Sequence, residues 1–320
     1  MKKLSMKKLF RFSIVQLIFA VIITPFIVFW GPFSAIKTLA VGSISTSRHP
    51  QVLSLFLTQS SIDSILKKGN EVISAEGTTV QKTNTVTIDG ITTEDISGSN
   101  IMGAFKGKVM LIKDPSKVHV ATTASLGGSG EMVSKIASRL NAVAAINAGG
   151  FDDPNGKGNG GYPTGITLSN SQLIYNTIGS KKDDIIGLSS SGTLIVGQYS
   201  ADQLMQMSVR DAVSFFPQLV KNGQGLITKG DGGWGVNPRT GIGQLSDGTI
   251  MFVVIDGRQI GTVGATLRDL QQVFLDYGAK TAANLDGGSS STMVYKGQVI
   301  NKPADIFGER YVPTAFIVTP

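Results

Sequence analysis

The chain lacks cysteine entirely and has only two histidines among its 320 residues. The absence of cysteine excludes thiol nucleophiles, disulfides and cysteine-bound metal sites, so the core alone must stabilise the fold. His49 falls in a predicted linker, and His119 falls inside an apolar strand pattern where a packed or edge-strand side chain is expected. A serine triad needs a histidine base and a G-x-S-x-G turn, which the sequence also lacks. Serine-hydrolase chemistry and histidine-bound zinc are therefore disfavoured.

Acidic residues are absent from the first 48 positions, which hold seven basic ones. These seven account for the whole net charge of +7, because the remaining positions hold 22 basic and 22 acidic residues. A neutral body is not typical of nucleic-acid binding, so we expect no nucleic-acid partner. Residues 12–33 carry no charge and are long enough to span a bilayer, and the basic residues before them predict a cytoplasmic N-terminus.

Four segments follow from these patterns. We expect a basic cytoplasmic segment, a transmembrane signal anchor, a linker or stalk with a possible helix and hairpin, and a large extracytoplasmic domain, at residues 1–11, 12–33, 34–104 and 105–320. Cleavage after Ala40 would instead give a secreted form. The membrane is a predicted partner in the first case, through the N-terminal helix.

Short apolar strands alternate with Gly, Asp and Asn turns from residue 105 onward, and helical patterns are few. This texture predicts an α+β fold with a mixed β-sheet core. Between the apolar runs MFVVIDG and AANLDGG, Thr266 and Asp269 resemble a capping box that starts a helix closed by Gly278. Strand, helix and strand over about 251–285 predict a βαβ unit with parallel strands.

Asp256 and Asp286 end the two strands of this unit and would leave the sheet at the same edge, where open α/β sheets bind ligands. Neighbouring strands lie about 4.8 Å apart, so the two carboxylates are expected within roughly 5–10 Å of each other. That range matches the paired carboxylates of glycoside hydrolysis and predicts an enzyme.

Further polar residues are predicted to join this edge. Asn147 follows a strand, and Trp234 offers an aromatic face beside Arg239, whose planar fork suits phosphate or carboxylate. Arg258 and Arg310 are weaker candidates, since either is equally suited to pair with an Asp. No cofactor is predicted, although calcium or another divalent ion at the Asp-rich loops, such as the one with Asp153 and Asn155, is an alternative.

Six motifs occur in a characteristic order: INAGGF, NPRTGIG, VIDGR, GATLRDL, NLDGGSSSTMV and GERYVPTAFIV. From about residue 105 to the C-terminus the chain resembles the phosphodiester glycosidase family, whose bacterial members are often labelled exopolysaccharide biosynthesis proteins. The resemblance implies hydrolysis of a sugar-1-phosphodiester between the anomeric carbon and the phosphate oxygen. A cell-wall or surface phosphoglycan is the expected substrate.

The resemblance also implies site residues by position: Asn147, Phe151, Arg239, Thr240, Asp256, Arg258, Asp286, Gly287, Gly288, Ser289, Ser290 and Arg310. Arg239 is expected to hold the phosphodiester, Asp286 to act at the anomeric carbon, and Asp256 to assist it or bind sugar hydroxyls. Two alternatives remain open. A metal-dependent phosphodiesterase would use the same residues, and a non-catalytic extracellular glycan-binding module would tolerate the loss of either Asp.

Overall fold

Antiparallel strand pairs build most of this fold, which is a computed structural model describing residues 6–47, 49–72, 80–100, 102–154 and 158–320. Within that part of the chain there are an eight-stranded sheet, two five-stranded sheets and a two-stranded ladder. The strands are β1 (Gln81–Ile88), β2 (Ile91–Asn100), β3 (Gly103–Ile112), β4 (Val118–Thr122), β5 (Glu131–Met132), β6 (Ala144–Asn147), β7 (Ile166–Ser169), β8 (Gln172–Asn176), β9 (Asp183–Ser189), β10 (Leu194–Tyr199), β11 (Val209–Ser214), β12 (Gln218–Lys221), β13 (Gln224–Gly225), β14 (Arg239–Leu245), β15 (Ile250–Ile255), β16 (Ala279–Leu285), β17 (Met293–Tyr295), β18 (Gln298–Val299), β19 (Tyr311–Val312) and β20 (Thr314–Val318).

The large sheet has the strand order β1-β2-β3-β15-β14-β16-β12-β13, and the five-stranded sheets have the orders β10-β9-β11-β7-β8 and β18-β17-β6-β20-β4. The ladder joins β19 to β5. The α-helices are α1 (Met6–Trp30), α2 (Ser34–Ser45), α3 (Gln59–Val72), α4 (Val133–Arg139), α5 (Ala201–Gln206) and α6 (Leu267–Asp276). Short 3-10 turns cover Pro50–Leu55, Pro115–Lys117 and Gly288–Ser290.

The eight-stranded sheet is buried on both faces at its centre, where all six residues of β15 are buried. Phe252 and Val254 pack into one apolar cluster with Phe316 of β20, so this face contacts a neighbouring sheet. Val253 and Ile255 pack into a second cluster on the side of α6. Because both faces are covered, the strand is a continuous apolar run rather than an alternating one.

Helix α6 covers the second face because its apolar residues recur along one side. Leu267, Leu270 and Phe274 are all buried in the second cluster. Thr266 Oγ1 accepts a hydrogen bond from Asp269 N at 3.0 Å, and Asp269 Oδ2 accepts one from Thr266 N at 2.8 Å. These reciprocal bonds confirm the predicted helix and its capping box.

The predicted βαβ unit is confirmed in the direction of its strands, but the two strands are not neighbours. β14 lies between β15 and β16 and pairs antiparallel with both, so β15 and β16 run parallel to each other. The Asp247–Gly248 turn folds β14 back on β15 before α6 begins, and the helix therefore carries the chain across β14. The strands that bear Asp256 and Asp286 are consequently about 10 Å apart, which is two inter-strand steps.

The prediction of a mixed sheet, with both parallel and antiparallel neighbours, is wrong. In the described part of the chain every strand pair is antiparallel, and the fold is mainly β. Hairpins between consecutive strands produce this pattern because they join antiparallel neighbours directly. His119 lies in β4, which is the edge strand of its sheet, and this confirms the expected edge-strand position. Its Nδ1 is 3.4 Å from Asp211 Oδ2.

The N-terminal apolar helices α1 and α2 meet at an angle of 105°. None of the described helices is by itself long and apolar enough to cross a membrane, whereas Gln16–Trp30 and Ser34–Ser45 together meet both requirements. The structure thus offers a bent pair in place of the single span expected over residues 12–33.

Helix α2 occupies residues expected to form a linker, and it packs on the folded domain. Its contact surface is the loop of residues 231–238, which we call the Trp234 loop. Gly42 lies so close to this loop that an added Cβ would stand 2.7 Å from Gly235 N. Ser43 Oγ accepts a hydrogen bond from Val236 N at 2.8 Å. The small residues that resemble a linker in the sequence are the ones that allow this close approach of a helix.

Strands β1 and β2 form the hairpin expected in the stalk, joined by Asp89 and Gly90 with φ of +52° and +78°. Two successive positive φ values are typical of the tight turns found in hairpins. β2 pairs with β3 along its whole length, so the hairpin extends the eight-stranded sheet. The proposed boundaries of the segments stay a prediction.

Candidate active site

Asp286 follows β16 directly. It begins the turn of residues 286–292, which contains Gly287 and Gly288 and which we call the Asp286 turn. Its backbone N–H donates to Ala148 O at 3.0 Å, which ties the turn to the chain after β6. Gly288 has a φ of +61°, a conformation that favours glycine. The Oδ2 atom of Asp286 is buried and has no hydrogen-bond partner among the described residues.

Burial raises the pKa of Asp286 to about 6, and the charge of Asp153 acts in the same direction. The Ser290 hydroxyl, the Arg310 guanidinium and the Gly287 amide oppose this rise in pKa. A carboxyl group with a pKa near neutrality can accept and return a proton during a reaction. Carboxylates perturbed by burial and by specific charges cluster at functional sites.

Arg310 brings a positive charge close to Asp286. Its Nη2 lies 2.6 Å from Asp153 Oδ1, and its Cζ stands 4.6 Å from the centroid of the Phe151 ring. The side chain is only 9% exposed, yet its Nε has no hydrogen-bond partner among the residues described. A buried guanidinium with a donor to spare is well suited to a phosphate oxygen.

The chain around Asp286 concentrates buried polar atoms that lack partners. Within the described ranges, five of the seven residues with such atoms are Asn284, Asp286, Ser290, Thr292 and Arg310. Buried polar groups are normally satisfied, and each exception needs an explanation. A ligand rich in hydroxyl and phosphate oxygens would supply the missing partners, so this cluster marks the candidate active site.

Asn147 and Thr240 support the Asp286 turn from neighbouring strands. Asn147 Nδ2 donates to Asp286 O at 2.6 Å, and Asn147 Oδ1 accepts from Thr292 N at 3.1 Å and from Thr240 Oγ1 at 2.9 Å. Both residues are buried. These contacts position the two ends of the turn, and a direct part of Asn147 or Thr240 in substrate binding stays a prediction.

Asp256 and Asp286 leave the sheet at the same edge, but they are one residue out of register. Thr240 of β14 is opposite Val254 on one side and Leu285 on the other. Asp286 therefore lies one residue beyond this row, and Asp256 lies two residues beyond it. Successive side chains along a strand point to opposite faces, so the two carboxylates have different surroundings.

The carboxylate of Asp256 anchors the segment after β18. Its Oδ1 accepts hydrogen bonds from Asn301 Nδ2 at 3.0 Å and from Lys302 N at 2.9 Å. Asn301 Nδ2 also donates to Ser291 O at 3.1 Å, which connects Asp256 to the end of the Asp286 turn. Burial raises the pKa of Asp256, and the bonds from Asn301 and Lys302 oppose the rise.

Arg239 is buried beneath the Trp234 loop. Its Nε donates to Ala265 O at 3.0 Å, and its Nη2 donates to Gly235 O at 2.7 Å and to Trp234 O at 3.2 Å. Burial lowers the pKa of this guanidinium, and the negative charge of Asp231 opposes the change. The described contacts make Arg239 a support for the loop, and its expected contact with phosphate stays a prediction.

Arg258 is exposed beside the Asp286 turn. It has a φ of +59°, and its Nη2 donates to Asn237 Oδ1 at 2.6 Å. A Cβ added to Gly288 would stand 3.5 Å from both terminal nitrogens of Arg258, so the guanidinium lies against that glycine. The structure therefore brings Arg258 to the turn, where Gly288 leaves room for it.

Trp234 belongs to an aromatic cluster whose other members, Phe215 and Phe216, the sequence reasoning missed. The ring centroids of Trp234 and Phe216 are 5.1 Å apart, and half of Phe216 remains exposed. Phe216 O accepts a hydrogen bond from Asn284 Nδ2 at 2.9 Å, which links the cluster to β16. The Phe-Phe-Pro sequence after β11 could have indicated this aromatic cluster, but adjacent aromatic residues usually predict side chains buried in the core.

Asp153, considered above for a calcium loop, is bound by an amide and a cation instead. Its Oδ1 accepts from Gly158 N at 2.7 Å and faces Arg310. Asn155 lies outside the described residues. In the ranges that the structure does describe, no group of three or more His, Cys, Asp or Glu side chains is placed to hold a metal ion.

Ser289 and Ser290 are both buried in the 3-10 turn that follows Gly287. Gly287 is required by a close approach, because an added Cβ would stand 2.9 Å from Pro238 O. The sequence motif around Asp286 thus folds as one compact unit. Direct contacts of Gly287, Gly288 and Ser289 with a substrate stay predictions.

Solved structures of similar fold come from distant proteins. The catalytic domain of zebrafish N-acetylglucosamine-1-phosphodiester alpha-N-acetylglucosaminidase, auto-inhibited by its pro-peptide, is 21% identical with a TM-score of 0.63, over 76% of this chain and 88% of that one. A Burkholderia pseudomallei protein, provisionally described as exported, is 16% identical with a TM-score of 0.57, over 78% of this chain and 98% of that one. At these identities the likeness establishes the fold.

Sequence comparison carries the relationship further. The SPbeta prophage-derived uncharacterized protein YomE of Bacillus subtilis is 30% identical over 215 residues, which are 65% of this chain and 32% of YomE. The chain therefore spans about a third of the length of that relative. The family model described as phosphodiester glycosidase matches residues 140–319, which include the Asp286 turn and Arg310. Because this match covers more than half of the chain, the protein belongs to the phosphodiester glycosidase family.

Proposed function

We propose that the protein hydrolyses a sugar-1-phosphodiester by breaking the glycosidic C–O bond, with Asp286 acting at the anomeric carbon. The observation that carries this proposal is a pair of buried atoms without a hydrogen-bond partner among the described residues, Asp286 Oδ2 and Arg310 Nε, whose side chains interact electrostatically. The carboxylate of Asp286 is suited to act at the anomeric carbon, and the guanidinium of Arg310 is suited to bind a phosphate oxygen. Membership of the phosphodiester glycosidase family supports the same reaction class.

Arg310 is the principal phosphate ligand in this proposal, and Arg258 is the second. Arg310 is nearly buried, yet its Nε has no acceptor among the residues that the structure describes, and a charge-assisted bond is stronger in a site of low dielectric. Arg258 lies against Gly288 and brings further positive charge to the turn. Arg239, whose Nε and Nη2 donate to backbone carbonyls, has the role of supporting the Trp234 loop in this proposal.

In this proposal Asp286 acts in its ionised form, as a carboxylate. With a pKa of about 6 it is mostly ionised at neutral pH. It acts on the anomeric carbon directly or through a water molecule, whose oxygen becomes the sugar hydroxyl. The C–O bonding electrons leave with the phosphate monoester, which Arg310 stabilises by charge. A phosphate monoester is a good leaving group, so a strong general acid is not required.

The sugar is expected to lie on the side of Asn284 and the aromatic cluster. Asn284 Oδ1 is a buried acceptor without a partner among the described residues, and sugar hydroxyls are donors. Phe216 and Trp234 offer partly exposed aromatic surface close to β16. The role of Asp256 in this proposal is to hold Asn301 and Lys302 beside the Asp286 turn.

Hydrolysis in ¹⁸O-labelled water tests the reaction class. The detergent-solubilised full chain would be given a panel of sugar-1-phosphodiesters, and the products analysed by mass spectrometry. Label in the sugar beside an unlabelled phosphate monoester is the expected result. Label in the phosphate would establish phosphorus–oxygen cleavage and a phosphodiesterase, which chelators should then inhibit. Binding without turnover, kept by Asp286→Asn, would identify a binding module.

We further infer that the apolar N-terminal helices tether this domain to the outer face of a membrane. The bent pair meets the length and composition needed for a membrane segment, and basic residues precede it. The positive-inside rule then places the sheets outside the cytoplasm. A surface glycan phosphodiester would be within reach of a domain held there.

A further inference from the structure

Three large apolar side chains project into solvent from two tight turns. Ile260 is fully exposed in the first turn, and Ile306 and Phe307 are 91% and 89% exposed in the second. The turns span residues 259–262 and 305–308, and in each turn the first and last residues pair. We call the three side chains the apolar rim.

The two turns are neighbours, and they border the Asp286 turn. Gln259 Nε2 donates to Lys302 O at 2.8 Å, which joins the first turn to the segment that leads into the second. Arg258 precedes the first turn, and its guanidinium lies against Gly288 of the Asp286 turn. The apolar rim therefore lies beside the candidate active site.

The exposed charges next to the apolar rim are basic. Within residues 256–262 and 301–310, the exposed charged side chains are Arg258 and Lys302. Lys106 is also exposed, and its backbone N–H donates to a hydroxyl of the first turn at 3.1 Å. The acidic residues of the same stretches are all partly buried: Asp256, Asp305 and Glu309. Basic residues around exposed apolar ones are typical of surfaces that contact anionic lipid headgroups.

The proposed membrane tether joins the domain on this same side. Ser43 of α2 bonds to Val236 of the Trp234 loop, and Asn237 of that loop accepts a hydrogen bond from Arg258. Ser43 is nine residues after Ser34, where α2 begins, so about 14 Å of helix separates this contact from the start of α2. A tether this short keeps the apolar rim close to the membrane that α1 enters.

We propose that the apolar rim docks on a bilayer that contains anionic lipid and thereby turns the Asp286 turn toward the membrane surface. The inference rests on the proposed function, of which the tether is a part, and it adds which side of the domain faces the lipid. Ile260, Ile306 and Phe307 enter the headgroup region, while Lys106 and Lys302 contact anionic headgroups.

The size and shape of the apolar rim favour a bilayer over a protein partner. Even at about 250 Å² each, three side chains supply less than the roughly 800 Å² that each partner contributes to a standard protein interface. A fluid headgroup region takes in protruding side chains without a complementary groove. By itself the apolar rim binds weakly and reversibly, and the tether supplies the effective concentration that keeps it docked.

Site-specific fluorescence tests the docking, because a chain without cysteine can be labelled at one chosen position. Full chains with Ile260→Cys or Ile306→Cys would carry an environment-sensitive fluorophore. They would be reconstituted into vesicles of phosphatidylcholine with an equal part of phosphatidylserine. We expect the emission of both labels to shift to shorter wavelength and to lose intensity when the lipids carry a spin label near the headgroup.

Ser246→Cys is the matched control. Ser246 is exposed in the turn between β14 and β15, at the opposite end of β15 from the first turn of the apolar rim. Its label should show neither the shift nor the quenching. Equal quenching at Ser246 and Ile306 would overturn the inference, because the domain would then have no preferred side toward the lipid.

Leu17→Cys separates a failure of the tether from a failure of the docking. Leu17 is exposed on α1, so its label should be quenched by spin labels deep in the acyl chains. No quenching at Leu17 would overturn the tether and the docking together. Quenching at Leu17 without quenching at Ile260 and Ile306 would keep the tether and overturn the docking. The proposed hydrolysis is measured separately with ¹⁸O, so its failure is distinguishable from both.

A double substitution tests the charge of the surface. Each basic residue at an anionic membrane corresponds to roughly a fivefold change in binding, so Lys106→Gln with Lys302→Gln should remove most of the quenching at Ile306. Vesicles of phosphatidylcholine alone should have the same effect on the parent chain. Unchanged quenching in both measurements would contradict docking on anionic lipid.

Discussion

At the scale of single residues, the proposal depends on Asp286, a carboxyl group with one buried oxygen that has no partner in the part of the chain that the structure describes. Asp286 has an Oδ2 without a partner among the described residues, and burial raises its pKa to about 6. Taking an ionisable group out of water is costly, so a carboxyl group with a raised pKa at this position supports the proposed role in chemistry. Three predictions separate that role from a structural one.

Asp286→Asn should lower kcat by at least about a hundredfold, because a positioned carboxylate contributes roughly 10²–10⁴ to such reactions as base and more as nucleophile. Release of the phosphate monoester is the measurement. Asp247→Asn, in the exposed turn between β14 and β15, is the control and should keep parental turnover. Near-normal kcat in Asp286→Asn would remove this residue from the chemistry.

The pH profile should report the same group. If the ionised carboxylate is the active form, kcat/KM should rise with pH and level off above a midpoint near the pKa of about 6. The negative charge of Asp153 raises that pKa, so Asp153→Asn should move the midpoint to lower pH. An unchanged midpoint, measured over pH 4–8, would show that another group controls the profile.

Stability should change in the opposite sense to activity. The folded-state pKa of Asp286 lies above the unfolded value, so the favourable contribution of its neutral form is complete below about pH 4 and is lost as pH rises through about 6. Asp286→Asn should therefore be more stable than the parent at pH 8, by on the order of 2–3 kcal/mol, and similar to it at pH 4. Denaturant unfolding at both pH values is the measurement. A less stable variant at pH 8 would contradict a desolvated charge.

At the scale of elements, three strands and one helix hold the site. Asn147 at the end of β6 and Thr240 in β14 join the Asp286 turn after β16. Helix α2 packs on the Trp234 loop, and Asn237 of this loop accepts a hydrogen bond from Arg258. The Trp234 loop thus contacts both α2 and Arg258, and it connects the two.

Gly235→Ala should separate α2 from this loop. An added Cβ would stand 2.3 Å from Ser43 N and 2.4 Å from Leu39 O, and the positive φ adds backbone strain. We expect earlier proteolytic cleavage before residue 47 and a raised KM, because Arg258 loses its fixed partner. Gly90→Ala is the control, since it has a similar φ and no atom within 4 Å. If Gly90→Ala changed proteolysis and KM as much as Gly235→Ala does, backbone strain alone would explain the change.

At the scale of the whole molecule, the two N-terminal helices differ in how far their apolar residues are buried. Helix α1 exposes a row of large apolar residues, including Leu17, Phe19 and Ile22, whereas α2 buries Leu39 and Val41 against the rest of the chain. Within the proposed tether, α1 is therefore the helix that presents exposed apolar side chains, whereas α2 contacts the Trp234 loop.

Deletion of residues 1–30 should release the protein from the membrane fraction into the soluble fraction while activity is kept. Deletion of residues 1–47 should in addition lower the thermal midpoint, because the Trp234 loop then loses Ser43 and its other contacts with α2. Fractionation and thermal unfolding are the measurements. Retention of the shorter deletion in membranes would contradict anchoring by α1.

Much of the fold and part of the site could be predicted from local patterns. The α6 helix with its cap and the Asp89–Gly90 hairpin are encoded by residues a few positions apart, so the sequence alone is sufficient. The position of β14 between β15 and β16 was not predictable, because apolar runs do not indicate which strand will lie next to them. That insertion puts the strands that precede Asp256 and Asp286 two inter-strand steps apart.

The sequence by itself determined which residues are available for chemistry: carboxylates, arginines and hydroxyls, without cysteine and with histidine in only two places. Motif order also placed the chain in its family. Tertiary structure decided which of these residues lie together and how each is buried, since burial and contacts over long sequence separations are absent from local patterns. Asp286 and Arg310 keep unpartnered polar atoms in the described fold, whereas Asp256 and Arg239 are held by neighbours. Only the packed molecule separates these roles, because the cost of a buried charge depends on what surrounds it.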